Sequence, residues 1–284
     1  MTRPAEPPIA GYSRAMYANW LWHRPLRLLV DAGEGLQLAL GTSVFTPATV
    51  AITHGHSDHV LGLPGFAAAR RFGKGAVTRP YDVLYPAGAR GVEGMQRLLE
   101  DIWRGVDFPI TWREMRDGAE HRLSPQHVLQ AFAVAHVAGE PALGYRVLET
   151  RRRLKPAYAA LPSAEIERLA RDGRRDALME PYHHVVFAHS GDAMPIDPDL
   201  ARGADLLVHD ATFLSTDDRR EPIHATTGEA LAVARDAGVA ALVLHHLSIR
   251  YDRAEALPRL RAQLAESGFA GDCYWLDEGT ITRL

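Results

Sequence analysis

Short apolar runs that end in polar or charged residues recur along the chain. Runs of this kind, rich in Val, Ile and Leu and bounded by Gly or charged residues, are typical of buried strands. The sequence therefore predicts strands whose ends carry polar side chains. The runs are residues 26–30, 49–52, 185–188, 206–208 and 241–244, and the polar residues that follow them include Asp31, His54, Asp192, Asp210 and His246.

Segments with helical periodicity lie between these runs. The clearest start signal is Thr226 followed three residues later by Glu229, a capping-box spacing that predicts a helix start just after His224. Alternating strands and helices, without an internal repeat or a low-complexity linker, predict a single α/β domain. Ligands in such folds collect at strand ends, where loops converge. The predicted helices are residues 66–72, 94–102, 163–171, 229–237 and 253–266.

The composition narrows the classes of protein to consider. A chain of 284 residues that is 46% hydrophobic can bury a sizeable core. The formal net charge of −3 excludes a positive field over the whole molecule, so any nucleic-acid site must be local. No stretch approaches the roughly 18 apolar residues of a membrane span. The single cysteine, Cys273, excludes an internal disulfide and a thiolate-built metal site. We therefore expect a cytoplasmic protein with no membrane partner.

One segment concentrates metal-binding side chains directly after a predicted strand. His54, His56, Asp58 and His59 place four potential ligands within six residues. Imidazole and carboxylate groups suit zinc, manganese or iron. Because alternate residues of an extended turn point the same way, His54 and His56 can share one ion. Asp58 and His59, past the bend, can face a second ion.

Two metal shells need further ligands from distant strand ends. His136, Asp192 and His246 each follow an apolar run, and the Asp192 carboxylate can bridge two ions. A lone buried histidine is more often a hydrogen-bonded core residue, but the six-residue run favours the ligand role. Asp31 either forms a turn or orients a metal-bound imidazole, and we favour the second role. The expected cofactor is two divalent metal ions per subunit, zinc first, with manganese or iron as alternatives.

The combination of Asp31, the six-residue run, His136, Asp192 and His246 resembles the signature of the metallo-β-lactamase superfamily. That resemblance implies one domain over residues 1–284 with the superfamily fold, a four-layer αβ/βα sandwich. Finer blocks, specific in combination and spanning about residues 11–251, are similar to those of the short form of ribonuclease Z. The blocks are residues 29–37, 59–65, 144–146, 209–213, 224–226 and 244–251.

The resemblance to ribonuclease Z implies a metal-dependent endonuclease that cleaves the 3′ trailer of precursor tRNA and acts as a homodimer. His224 would be the general acid, oriented by Asp210, and Asp58 completes the predicted catalytic residues. Three positions depart from the family: Asp210 stands in place of Glu, and Ala193 and His245 each stand in place of Thr. The family's long glycine- and proline-rich arm is not recognisable.

A short basic insertion at about residues 146–180 is the predicted RNA contact. Residues 146–175 contain nine arginines and lysines against four acidic residues, and the family carries its tRNA-gripping insertion in this region. A solvated helical face is the alternative interpretation. Arg250 is predicted either to meet a substrate phosphate or to pair with a nearby carboxylate. The residues of the segment predicted to bind RNA are Arg151, Arg152, Arg153 and Lys155.

Two other classes of function compete with this interpretation. The same two ions would serve a hydrolase of small molecules such as a lactone, sulfate ester, cyclic nucleotide or β-lactam. Such enzymes do not generally need Asp210, His224 and residues 248–251. A non-catalytic module with structural metals is disfavoured, because closed structural zinc sites are commonly rich in thiolate ligands.

Overall fold

The computed structural model describes residues 6–72, 80–104, 110–171 and 175–284. The described strands form two sheets, in which hydrogen-bonded neighbours follow chain order. The strands of the first sheet are β1 (Ile9–Arg14), β2 (Ala18–His23), β3 (Leu28–Val30), β4 (Thr49–Ala51), β5 (Tyr81–Pro86) and β6 (Ile110–Met115). The strands of the second sheet are β7 (Glu120–Arg122), β8 (His127–Ala133), β9 (Leu143–Leu154), β10 (Met179–His189), β11 (Leu207–Asp210), β12 (Ala241–His245), β13 (Asp272–Asp277) and β14 (Thr280–Arg283).

Helices cover the outer face of each sheet. In chain order they are α1 (Leu36–Leu40), α2 (Ser57–Val60), α3 (Leu63–Phe72), α4 (Arg90–Ile102), α5 (Ser163–Leu169), α6 (Arg175–Leu178), α7 (Thr227–Ala237) and α8 (Arg253–Ser267). The predicted capping box is confirmed, since Thr226 and Glu229 exchange both hydrogen bonds at the start of α7. None of the described helices combines the length and apolar character that a membrane crossing requires.

Three apolar clusters hold the layers together. The cluster between the sheets includes Val30 of the first sheet and Phe187 and Val208 of the second, all fully buried. A second cluster buries α1 to α4 against the first sheet, and a third buries α7 and α8 against the second. The order helix, sheet, sheet, helix confirms the predicted four-layer αβ/βα sandwich in one domain.

Parallel pairing brings the predicted site residues to common edges. β3 and β4 are parallel, with Val30 opposite Ala51, so Asp31 and the loop after β4 leave the first sheet side by side. β11 and β12 are also parallel, with Asp210 opposite His245. The carboxyl ends of neighbouring parallel strands meet at one edge of a sheet, which is where sites form in α/β folds.

The basic segment begins on a strand that the sequence does not predict. β9 and β10 form a long antiparallel hairpin whose register runs from Tyr145 opposite His189 to Leu154 opposite Met179. The outer halves of both strands are partly buried or exposed and carry no continuous apolar run, whereas the predicted run 185–188 lies in the inner half of β10. The predicted helix over residues 163–171 corresponds to α5 in the connection between them.

Candidate active site

The ligand run, residues 54–59, leaves β4 and turns into α2. The following turn packs tightly against neighbouring backbone: a Cβ atom on Gly62 would lie 2.0 Å from the carbonyl oxygen of Gly33. Asp31 and His246, on adjacent loops, have left-handed φ angles of 58° and 64°. Such angles cost free energy at residues other than glycine, and they cluster at functional sites.

His54, His56 and His136 form a first group of imidazoles. The His136 Nε2 and His56 Nδ1 atoms are 3.4 Å apart, and the His54 and His56 rings are 4.5 Å apart. The Thr53 hydroxyl lies 2.9 Å from His54 Nδ1, and the Ile223 carbonyl lies 3.0 Å from His136 Nδ1. These contacts fix the Nδ1 atoms of His54 and His136. One ring nitrogen from each of the three histidines lies within 4.8 Å of those of the other two.

Asp58, His59 and His246 form a second group, and Asp192 lies between the two. Asp58 Oδ2 is 3.5 Å from His59 Nε2 and 3.7 Å from His246 Nε2. Asp192 Oδ2 is 3.0 Å from His246 Nε2 and 3.3 Å from His59 Nε2. The same oxygen is 3.7 Å from His54 Nε2 in the first group. One carboxylate therefore contacts imidazoles of both groups, which is the arrangement a bridging ligand needs.

Buried polar groups behind the second group fix the orientation of its rings. Asp31 lies 2.8 Å from His59 Nδ1 and accepts a hydrogen bond from the backbone N–H of Thr53 at 2.7 Å. The Thr212 hydroxyl lies 2.8 Å from His246 Nδ1. A hydrogen bond to Nδ1 sets the ring orientation and leaves Nε2 for a metal. Asp31 thus has the contact that its predicted orienting role requires.

The chemistry of the donors fits divalent cations. His54 Nε2, His246 Nε2 and Asp192 Oδ1 are buried without an aligned hydrogen-bond partner among the described residues; such atoms are rare in folded proteins. Burial lowers the pKa of His54 well below its ordinary value, which favours the neutral, metal-binding form. Burial alone would also lower the pKa of His246, but Asp192 raises it to about 10. The buried carboxylates therefore draw positive charge into the cluster, and a bound cation would supply it.

His224 and Asp210 form a pair beside the cluster. Asp210 Oδ2 lies 2.7 Å from His224 Nδ1, and the His224 ring stacks on the His246 ring at 5.0 Å. Asp210 also accepts hydrogen bonds from the Ala193 N–H at 2.9 Å and from the Thr212 N–H and hydroxyl at 2.8 Å. These bonds involve both oxygens of Asp210 and fix the carboxylate against the His224 ring. Although Asp is shorter than Glu, the Asp210 carboxylate still lies within hydrogen-bond distance of His224.

Comparisons with known proteins agree with this geometry. The family model described as a β-lactamase superfamily domain matches residues 26–160 and 177–247. Ribonuclease Z of Halobacterium salinarum is 32% identical, with 88% of this chain and 86% of that protein covered. Ribonuclease Z of Bradyrhizobium sp. is 34% identical, with 87% and 88% covered. The chain belongs to the ribonuclease Z family.

The fold of this ribonuclease Z family member is similar to those of solved structures. Human tRNase Z, short form, superposes with a TM-score of 0.65 at 21% identity, covering 96% of this chain and 97% of that one. The metallo-β-lactamase fold protein YhfI of Bacillus subtilis gives 0.66 at 16% identity, covering 96% and 99%. Both confirm the predicted fold class.

The arginines predicted to bind RNA lie on the β9–β10 hairpin, and each has a carboxylate partner. The pairs are Arg151 with Glu149, Arg152 with Asp176 at 2.6 Å, and Arg153 with Glu180 at 2.8 Å. Lys155 is half-buried, and the side chains of residues 172–175 lie outside the described residues. The partners reduce the local positive field that the sequence predicts, although exposed pairs of this kind are weak.

Arg250 lies closer to the predicted acid. Its guanidinium donates a hydrogen bond to the backbone carbonyl of Asp218 at 3.1 Å and lies 5.7 Å from the Phe213 ring centre. The Phe213 ring is in turn 6.3 Å from the His224 ring. Arg250 is exposed on this rim.

His245 and His246 diverge although they are adjacent in sequence. His246 enters the second ligand group, whereas the His245 ring lies 4.7 Å from His189 and outside the ligand groups. Strand alternation allows only one of the two to face the metals, and the resemblance of Leu247 and Ser248 to the family block favours His246.

Some contacts of the site carry no sequence signal. Asn19 donates a hydrogen bond to Asp58 Oδ2 at 3.0 Å, and the Ser13 hydroxyl accepts one from the His246 N–H at 2.7 Å. Both residues lie on the β1–β2 hairpin, far from the ligands in sequence. Thr53, by contrast, directly precedes the ligand run, so its position alone would have suggested an orienting contact.

Proposed function

We propose that this chain is an endoribonuclease that removes the 3′ trailer of precursor tRNA with the help of two metal ions. The observation that carries the proposal is the similarity to ribonucleases Z, at 32–34% identity over more than 80% of each chain. The buried His–Asp cluster and the adjoining His224–Asp210 pair support it. A hydrolase of small esters would need the cluster but not the pair.

The proposed metal ligands form two sets joined by Asp192. Imidazole and carboxylate donors suit zinc first, with manganese or iron as alternatives. When bound, two such ions would activate a water molecule and stabilise negative charge on the phosphodiester. The first set is His54, His56 and His136, and the second is Asp58, His59 and His246.

Asp58 has a second proposed task. Its Oδ2 atom accepts hydrogen bonds from the Met16 N–H and the Asn19 side chain, both at 3.0 Å. These bonds fix the carboxylate with the same oxygen facing the imidazoles of the second group, where it would bind metal or orient the attacking water.

His224 is the proposed general acid. Attack on phosphorus breaks the bond to the 3′ oxygen of the tRNA, and that oxygen leaves with the electron pair and needs a proton. Asp210 anchors Nδ1 of His224, so Nε2 is free to donate the proton. Burial opposes ionisation of Asp210, but the His224 ring lowers the pKa of this carboxyl. The resulting carboxylate accepts the hydrogen bond that orients the His224 ring for the step.

RNA contact is proposed at two places. Arg250 is the first candidate, because its guanidinium donates to a neutral carbonyl and borders Phe213 beside His224. Arg151, Arg152 and Arg153 would bind phosphate only by exchanging their carboxylate partners for it. Phosphate contacts of both kinds should weaken as salt concentration rises.

A homodimer remains a proposal, supported by exposed apolar side chains in the first half of the chain. Leu38 is 82% exposed and Tyr17 60% exposed, and both line one surface groove. Exposed apolar patches commonly mark protein interfaces. A tRNA substrate would also agree with the predicted cytoplasmic location.

The substrate class is tested by comparing kcat/KM for a precursor tRNA that carries a 3′ trailer with values for a panel of lactones, sulfate esters, cyclic nucleotides and β-lactams. Metal-loaded protein is expected to favour the RNA by orders of magnitude. Turnover of small esters with intact RNA would contradict the proposal and favour the small-molecule hydrolase. The Asp192→Asn variant serves as the control for contaminating ribonuclease.

A further inference from the structure

The loop that carries His224 is fastened by an ion pair outside the metal cluster. Arg219 donates hydrogen bonds to both carboxylate oxygens of Glu229, at 2.7 and 3.0 Å. The same guanidinium donates a third bond to the backbone carbonyl of His224 at 3.2 Å. The Arg219 side chain is 16% exposed and that of Glu229 is 29% exposed. A two-bond, partly buried pair has a more defined geometry than an exposed ion pair.

Glu229 connects this pair to the start of α7. Its carboxylate accepts hydrogen bonds from the Thr226 N–H at 2.8 Å and from the Thr226 hydroxyl at 3.1 Å. The Arg219–Glu229 pair therefore joins the two ends of the segment that contains His224. The same arginine and glutamate also fasten this segment at the His224 carbonyl and the Thr226 N–H.

We propose that Arg219 and Glu229 are positioning residues for His224. They hold the backbone of His224 so that its imidazole faces the leaving oxygen. The bond from Asp210 holds the His224 ring at Nδ1 but does not hold the backbone that carries the ring. The third bond of Arg219 fixes that backbone. Misplacement of a catalytic group by about 1 Å can cost on the order of 10²-fold in rate.

This inference rests on the proposed function of His224 and predicts a dependence on the leaving group. A ribose 3′ oxygen leaves as a poor alkoxide and needs a proton, whereas p-nitrophenolate leaves without one. Arg219→Gln should lower kcat for precursor tRNA by about 10- to 100-fold with little change in KM. Hydrolysis of bis(p-nitrophenyl) phosphate by the same metal-loaded variant should change less than about threefold, because it does not use the acid.

Two further variants separate positioning from folding. Glu229→Gln keeps the capping box, since Gln serves at this position as Glu does, but it removes the charge that holds Arg219; it should repeat the selective loss. Arg219→Lys should recover part of the kcat, because one donor can still reach Glu229. The matched control is Arg235→Gln at the other end of α7, where Arg235 also pairs with a carboxylate, Asp236, and a backbone carbonyl. It should leave both activities unchanged.

The outcomes distinguish the two claims. Equal loss on both substrates, or unchanged kcat for RNA, would overturn the positioning role. If wild-type protein leaves precursor tRNA intact, the proposed function fails, and the same comparison with a dinucleotide phosphodiester tests the positioning role instead. Protein that hydrolyses no phosphodiester overturns both.

Discussion

Replacing Asp210 by Asn changes one atom at the centre of the proposed acid. Asp210 Oδ1 accepts from the Thr212 N–H and hydroxyl, and an amide oxygen can keep both bonds. Asp210 Oδ2 accepts from the Ala193 N–H at 2.9 Å and lies 2.7 Å from His224 Nδ1. An amide nitrogen in place of Oδ2 is a donor, so it could not accept a hydrogen bond from the Ala193 N–H or from His224 Nδ1. The variant therefore loses one buried backbone partner and the anchor of His224.

The two losses have different magnitudes. An unpaired buried N–H at Ala193 should cost about 1–3 kcal/mol of unfolding free energy. Loss of an oriented general acid should lower kcat for RNA by about 10² to 10⁴-fold. Because Asp210 lies outside the two proposed ligand sets, metal content should stay at the wild-type value. The effect on kcat thus exceeds what partial unfolding could explain.

The assay is a double-mutant cycle on precursor tRNA with Asp210→Asn, His224→Ala and the double variant. If Asp210 acts through His224, the double variant should be no slower than His224→Ala, since residues that act as a unit are not additive. Urea titrations and metal analysis of each variant provide the controls. Multiplicative losses in kcat, or full activity of Asp210→Asn with wild-type metal content, would refute the reasoning.

Four shorter predictions follow from other parts of the structure. His246→Ala should lose one of two metal ions and His245→Ala neither, by mass spectrometry of metal content; the reverse would exchange their roles. Burial lowers the pKa values of His59 and His246, but neighbouring carboxylates outweigh it and raise both, that of His246 to about 10. Both shifts favour the protonated imidazole in the absence of metal, so zinc binding should release protons; a calorimetric enthalpy independent of buffer ionisation would contradict this. Arg250→Gln should raise KM for RNA and reduce the slope of log KM against log salt by about 1, whereas an unchanged slope would exclude a phosphate contact. Light scattering should give twice the mass of one chain, and Leu38→Glu should shift it toward one; a monomeric wild type would disprove the homodimer.

The strands that are buried on both faces could be predicted from the sequence. The strands before Asp31, His54 and Asp210 are short, apolar and followed by polar residues, so pattern alone marks them. β9 and the outer half of β10 give no such signal, because their outer residues are only partly buried or are exposed. A strand that is solvated on both faces has no apolar period to read.

The site was predictable to the extent that its residue types are unusual. Four potential ligands in the six-residue run are improbable by chance, and the run predicts a ligand role for distant histidines such as His136. Ser13 and Asn19 are ordinary polar residues, and only the pairing of β1 with β2 and the packing of that hairpin bring them to His246 and Asp58. Contacts that depend on tertiary packing leave no local pattern.

The most direct test of the central claim is the position and chemistry of the cut. A precursor tRNA with a 3′ trailer, incubated with metal-loaded protein, can be mapped by sequencing both fragments and identifying their ends. The account predicts one cut next to the discriminator base, leaving a 3′ hydroxyl on the tRNA and a 5′ phosphate on the trailer. Cuts scattered along the RNA, a 2′,3′-cyclic phosphate end, or an intact precursor would contradict it.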